Sequence, residues 1–133
     1  MADTHTRGIM GEEFACRCLR QDGYEILARN FRSSHSEIDI IARKDYVIAF
    51  VEVKMRCRTA LAAPMSAVSA AQRRRIVLAA VSYLKEKGIY NTGEYQPRFD
   101  IFEVVTESAG SPNVVRYAHI PAAYDTGDLH VFV

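Results

Sequence analysis

Four charged residues stand inside two apolar stretches: Glu37 and Asp39 in S-E-I-D-I-I-A, and Glu52 and Lys54 in V-I-A-F-V-E-V-K. Acids and lysines are rarely buried unless they are paired or hold a metal. The members of each pair lie two residues apart, so in a strand each pair projects from one face. With the two strands side by side and those faces together, three carboxylates and one ammonium converge on one patch. Carboxylate oxygens are hard ligands of the kind Mg²⁺ or Mn²⁺ prefers. An ammonium beside them suits a negatively charged substrate.

The elements that must position these residues can be read outward from the pair. Ser36 to Lys54 reads as a β-hairpin with a polar turn at Arg43–Asp45. Val47–Val53 is apolar on both faces apart from Glu52, the pattern of a central strand covered on both sides. An ionised, unpaired carboxylate there would cost several kcal/mol, so Glu52 calls for a cation. Lys54 supplies one, and a divalent metal would supply a second. Tyr24–Arg32 is a first strand with Ile26 and Phe31 as core residues, and Ser33–Ser36 is a turn.

Residues 6–21 repeat apolar side chains at helical spacing, through Met10, Phe14, Cys18 and Ala15, Leu19. Glu13 falls on the polar face, four residues before Arg17, where an ordinary surface pair forms. Glu12 projects about 20° from Leu19, at about 100° per residue. It can reach an interior site, or simply favour the helix N-terminus through the dipole. Met55–Pro64 lacks periodicity and reads as a loop beside the pocket, carrying Arg56 and Arg58. Ser66 or Ser69 can cap a second helix that runs to about Lys87 and stops at Gly88, with Gln72 and Arg73, Arg74 and Arg75 in its first turns. Arg98–Thr106 and Val114–Ile120 form an edge hairpin after a turn-rich connector at 89–97. Asp100 reads as a strand-end acid paired with Arg98, and the tail beyond Pro121 as loop, with a short strand at Leu129–Val133.

At 133 residues the chain is one domain, its core spanning about 7–120. The net charge of +1 conceals a concentration: residues 29–75 hold ten basic against four acidic side chains, net +6, while residues 1–28 are net −2 and 76–133 net −3. A cationic surround for an acidic pocket suits a polyanion approaching a metal. The same arginines on an ordinary solvated surface are the plain alternative. No apolar run is long enough for a membrane span, and Met1–Gly11 lacks the apolar segment of a secretion signal. Three cysteines, Cys16, Cys18 and Cys57, form no C-x-x-C pair, which fits a reducing cytoplasm and suggests neither a disulfide framework nor zinc. The four histidines show no ligand spacing.

The order helix, three strands, helix, two strands around E-x-D…E-V-K resembles the restriction-endonuclease-like superfamily, whose motif is PD-(D/E)-x-K. Within it the chain is similar to the YraN-like family of small bacterial proteins. The matching residues are Gly11-Glu12 with Ala15 and Leu19, Gly23-Tyr24, Arg29-Asn30-Phe31-Arg32 and Glu37-Ile38-Asp39-Ile40-Ile41. They continue through Phe50-Val51-Glu52-Val53-Lys54-Met55-Arg56, Val68-Ser69, Arg75-Ile76, Ala80, Tyr83-Leu84 and Arg98-Phe99-Asp100-Ile101, covering roughly 7–105. Ser36 replaces the usual Gly before E-I-D, and Gln72 replaces a usual Lys on the second helix, removing a cation near the pocket.

The resemblance implies an α/β fold with a mixed central sheet of about five strands flanked by two main helices. It implies Asp39 and Glu52 as metal ligands, Lys54 as the catalytic lysine, Glu12 as a further metal carboxylate and Gln72 as an auxiliary group. Arg56, Arg58 and Arg73–Arg75 would grip phosphates of a nucleic acid, DNA being expected. Glu37 becomes a supporting residue, and related resolvases admit a homodimer. The expected activity is Mg²⁺- or Mn²⁺-dependent phosphodiester hydrolysis in DNA, branched or otherwise structured forms included. Two other readings compete: a nucleic-acid-binding protein on a nuclease fold that does not cut, and a protein-interaction partner meeting an acidic surface with its basic face.

Overall fold

The computed structural model describes residues 4–58, 68–108 and 110–127. The elements run α1 (Thr4–Gln21), β1 (Glu25–Arg32), β2 (Glu37–Lys44), β3 (Val47–Cys57), α2 (Ala70–Glu86), β4 (Gln96–Thr106) and β5 (Val114–Tyr124). The five strands make one sheet in chain order. All neighbours are antiparallel except β3 and β4, which run parallel because α2 carries the chain back between them. This is an α/β fold with a mixed five-stranded sheet and a helix on each face, a restriction-endonuclease-like core.

Strand alternation sorts the apolar residues into two layers. On one face Ala15, Cys16 and Leu19 of α1 pack on Ile40, Ala42, Ala49, Val51, Phe102 and Val104. On the other, Ile76, Val77, Ala80, Tyr83 and Leu84 of α2 cover Ile38, Ile41, Ile48, Phe50 and Phe99. Each fully buried Leu, Ile or Phe contributes roughly 1.5–3 kcal/mol, so both helices are held chiefly by these seams. Gly11 lets α1 approach β3, since a Cβ there would stand 3.2 Å from the Met55 sulfur. Ser69 caps α2 by accepting the Gln72 N–H, and Gly88 at φ 71° ends it beyond Lys87.

Several boundaries differ from the sequence reading. The hairpin turn lies at Asp45–Tyr46, with Asp45 at φ 54°, so both strands reach closer to it. β3 does not dissolve into a loop at Met55; its parallel pairing with β4 holds the strand to Cys57, opposite Thr106. The rest of the expected loop, from Thr59, and the alternative cap Ser66 lie outside the described residues, as does Leu129–Val133. β5 continues past Pro121 to Tyr124 because Phe99 still pairs with Tyr124 beyond an irregularity in the ladder. Ile26 and Phe31 are both half-buried, Ile26 on the α1 side and Phe31 on the α2 side. Glu13 pairs with Arg29 of β1 at 2.7 Å, not with Arg17, because β1 passes beside α1.

Candidate functional site

The ladder between β2 and β3 runs from Lys44↔Val47 to Ile40↔Val51 and stops there. The next residues, Asp39 and Glu52, would be the following pair, but the strands diverge. Two local features accompany the fork. Asn30 of β1, lying between the Arg29↔Ile40 and Phe31↔Ile38 pairs, adopts φ 53°. Ile38 and Ile41 both pack on the α2 side, so the alternation of faces is interrupted around Asp39. The Asp39 carboxylate turns into the gap and accepts the Val53 N–H at 2.8 Å, satisfying a donor that the fork would otherwise orphan.

Glu52 lies beside it and is served by two donors. Gln72 Nε2 of α2 donates to Glu52 Oε1 at 3.2 Å, and Lys54 Nζ stands 3.5 Å from the same oxygen. Burial and the neighbouring Glu52 charge push Asp39 up to about 7. Glu52 is also raised, burial outweighing the opposing pull of Lys54 and Gln72. Two carboxylates that both resist ionisation in one half-buried gap share protons or bind a cation.

Glu12 approaches the fork from α1. Burial, then the Asp39 charge, raises its pKa, and Arg29 at 3.9 Å offsets this in part. Its Oε1 is sealed from solvent without a hydrogen-bond partner. Among the described residues, no three His, Cys, Asp or Glu side chains stand close enough to hold a metal by themselves. The donor set therefore fits an ion that takes one or two protein carboxylates and fills its other positions with water, as Mg²⁺ does. Asp39 and Glu52 are the residues that fit, and Glu12, ion-paired with Arg29, feels the Asp39 charge.

The remaining expected site residues separate. Glu37 pairs with Arg32 at 2.9 Å at the outer end of β2. Arg56 is drawn into a pair with Glu103, 2.6 Å away, because the parallel register sets that acid opposite Lys54, two residues along and on the same face. Arg73 donates through Nε to the Val68 carbonyl and lies over the Tyr124 ring, while Arg58, Arg74 and Arg75 are exposed. The sequence reading missed how deeply Asp100 sits. It is fully buried in mid-strand and takes Arg98 Nε and Nη2, His119 Nε2 and the Ala122 N–H, all at 2.7–3.0 Å. Burial alone would raise Asp100, but these donors outweigh it and hold the carboxyl below its usual value. Only the apolar run around Asp100 hinted at this, and nothing local announced His119.

Residues 11–104 match the sequence pattern described as Uncharacterised protein family UPF0102. The chain belongs to the UPF0102 family. A UPF0102 protein of Clostridium perfringens (strain SM101 / Type A) is 43% identical over 97 residues, covering 73% of this chain and 77% of the relative. One from Chlorobium phaeobacteroides is 37% identical over 116 residues, 87% and 89% of the two lengths. A third, from Porphyromonas gingivalis (strain ATCC 33277), is 41% identical over 111 residues, 84% and 79%. The UPF0102 match spans α1 to β4 and so contains Asp39, Glu52, Lys54 and Gln72, whereas β5 falls beyond it. No helix among the described residues is long and apolar enough to cross a membrane.

Proposed function

We propose that this UPF0102 protein is a cytoplasmic, divalent-metal-dependent nuclease that hydrolyses phosphodiester bonds in DNA. One observation carries the reading: two half-buried carboxylates from diverging strands lie together, both reluctant to ionise, with a lysine beside them. A structural salt bridge needs one acid per lysine and gains nothing from a second buried acid. Asp39 and Glu52 would hold Mg²⁺ or Mn²⁺, with Glu12 the third carboxylate in reach of their charge. When bound, the ion would neutralise phosphate charge and lower the pKa of a coordinated water.

The protein's own groups supply the rest. Lys54 places a positive charge at the rim of the carboxylate gap, where it stabilises charge building on the phosphate. Gln72, already donating to Glu52, fixes that carboxylate's rotamer and can orient a water or phosphate oxygen. Arg58, Arg74 and Arg75 present exposed charge to flanking phosphates, adding affinity without sequence readout. A second reading rests on Gln72: with an amide in place of the Lys that the family resemblance leads one to expect there, the protein would bind DNA without cutting it.

Incubation with plasmid, single-stranded and junction DNA in Mn²⁺ separates the two. Cleavage by the wild type that Asp39→Ala abolishes supports the nuclease. Salt-dependent binding with no cleavage supports the binder, and equal cleavage by Asp39→Ala removes the assigned site altogether.

A further inference from the structure

Asn30 adopts left-handed backbone, φ 53°, in the middle of β1, whereas turns are the usual place for such a residue. The β1–β2 ladder passes from Arg29↔Ile40 to Phe31↔Ile38, and the position between those rungs sets Asn30 opposite Asp39. Both strands turn over there. Arg29 reaches Glu13 of α1 and Ile40 packs on the α1 side, while Phe31 and Ile38 pack on the α2 side. Residues two apart on a regular strand would share a face. The left-handed residue thus stands at the change of faces that releases Asp39 toward Glu52.

The Asn30 side chain meets the site from another direction. Its amide donates to the Glu12 carboxylate of α1, and Glu12 in turn feels the Asp39 charge. Arg29 supports Glu12 less closely, its Nη2 standing 3.9 Å from Glu12 Oε1 while its Nη1 is committed to Glu13 at 2.7 Å. One residue therefore holds a carboxylate on α1 and sits opposite a carboxylate on β2. Glycine would satisfy a φ of 53° at least as well, so the backbone alone does not account for an asparagine.

We propose that Asn30 is a positioning residue of the divalent-metal site, its left-handed backbone turning Asp39 into the gap beside Glu52 and its amide holding Glu12 at the same gap. Glu12 then serves as an outer carboxylate to an ion held by Asp39 and Glu52, because no three acids among the described residues stand close enough to hold one together. This role rests on the metal reading above and deepens it.

Asn30→Gly keeps the left-handed backbone and removes only the amide. Mn²⁺ affinity of the full chain at pH 8 is read from the loss of the free-ion EPR signal, beside thermal melts without metal. The expected result is a melting temperature equal to that of wild type and an affinity about tenfold weaker, the scale of losing an outer partner of a metal site. Asn30→Ala, which also strains the backbone, should melt lower and bind at least as weakly. Asn91→Gly, at φ 55° in the connector between α2 and β4, is the control and leaves affinity unchanged. If wild type binds Mn²⁺ and Asn30→Gly binds it within about twofold as well, the role of Asn30 is refuted and the metal reading stands. An Asn30→Gly that melts as low as Asn30→Ala, or an equal loss in Asn91→Gly, also overturns the role. A wild type that binds no Mn²⁺ refutes the metal reading and the role of Asn30 with it.

Discussion

The Asp39 carboxylate accepts the Val53 N–H at 2.8 Å across the point where β2 and β3 stop pairing. One side chain thus replaces a lost ladder bond and is pinned beside Glu52 by the same contact. The site is built into the strand fork, and disturbing it acts on stability and on charge together.

Burial and the Glu52 charge raise Asp39 from 3.8 to about 7. Between those two values the folded chain binds more protons than the unfolded one, so stability falls as pH rises through the window and levels off above it. Asp39→Asn keeps an acceptor for Val53 and removes the charge. It should flatten that decline and be more stable than wild type at pH 8 by up to about 4 kcal/mol, a rise of about three units at about 1.4 each, and by less where Glu52 shares the proton. Thermal melts across pH 4 to 8 check this, and a variant less stable than wild type at pH 8 refutes it.

Protons and a divalent ion compete for the same two carboxylates. Added Mn²⁺ should raise the wild-type melting temperature more at pH 8 than at pH 6, approaching about 2.7 kcal/mol at a hundredfold excess over Kd. Glu52→Gln should lose the effect. Equal shifts for variant and wild type would place the ion elsewhere.

Gln72→Lys puts an ammonium where an amide now donates to Glu52. It should pull the raised Glu52 pKa down and add roughly 0.5–1 kcal/mol of stability above pH 6, a gain that shrinks in high salt. Gln72→Ala should cost about 1 kcal/mol. Calorimetry on both variants at two salt concentrations distinguishes the outcomes, and Gln72→Lys falling below wild type contradicts the contact.

Much of this arrangement is written locally. The alternation in E-I-D-I and F-V-E-V-K places the charged residues on strands, and Ser69 and Gly88 bracket α2 as capping chemistry requires. The Arg98–Asp100 pair read from the sequence is present, but the partner of Arg56 and the His119 partner of Asp100 are not written locally, because they depend on register. Glu103 reaches Arg56 only through the parallel β3–β4 ladder, and His119 reaches Asp100 only across β4–β5. Tyr124 is hidden for the same reason: local composition at Pro121 reads as a strand stop, while pairing with Phe99 carries β5 three residues further. The fork itself leaves a trace in neither hydropathy nor spacing, since it arises where a ladder ends.

Asp100 stands one rung from Glu52 in the β3–β4 ladder but keeps its own set of donors, and it provides a separate stability test. Asp100→Ala strips a fully buried acceptor from Arg98, His119 and the Ala122 N–H, leaving a charged guanidinium without its partner. A loss of about 3–5 kcal/mol follows from breaking such a pair. Denaturant unfolding checks it, and a loss below about 1 kcal/mol would show that the network carries little of the fold.

If Asp39 and Glu52 are gathered at the fork to hold a divalent cation, the ion itself must be found between them. Anomalous diffraction from a crystal soaked in Mn²⁺ near pH 8 measures this directly. The expected result is a peak between the Asp39 and Glu52 carboxylates that vanishes in Asp39→Ala. No peak there at saturating Mn²⁺, with the two side chains ordered, would contradict it.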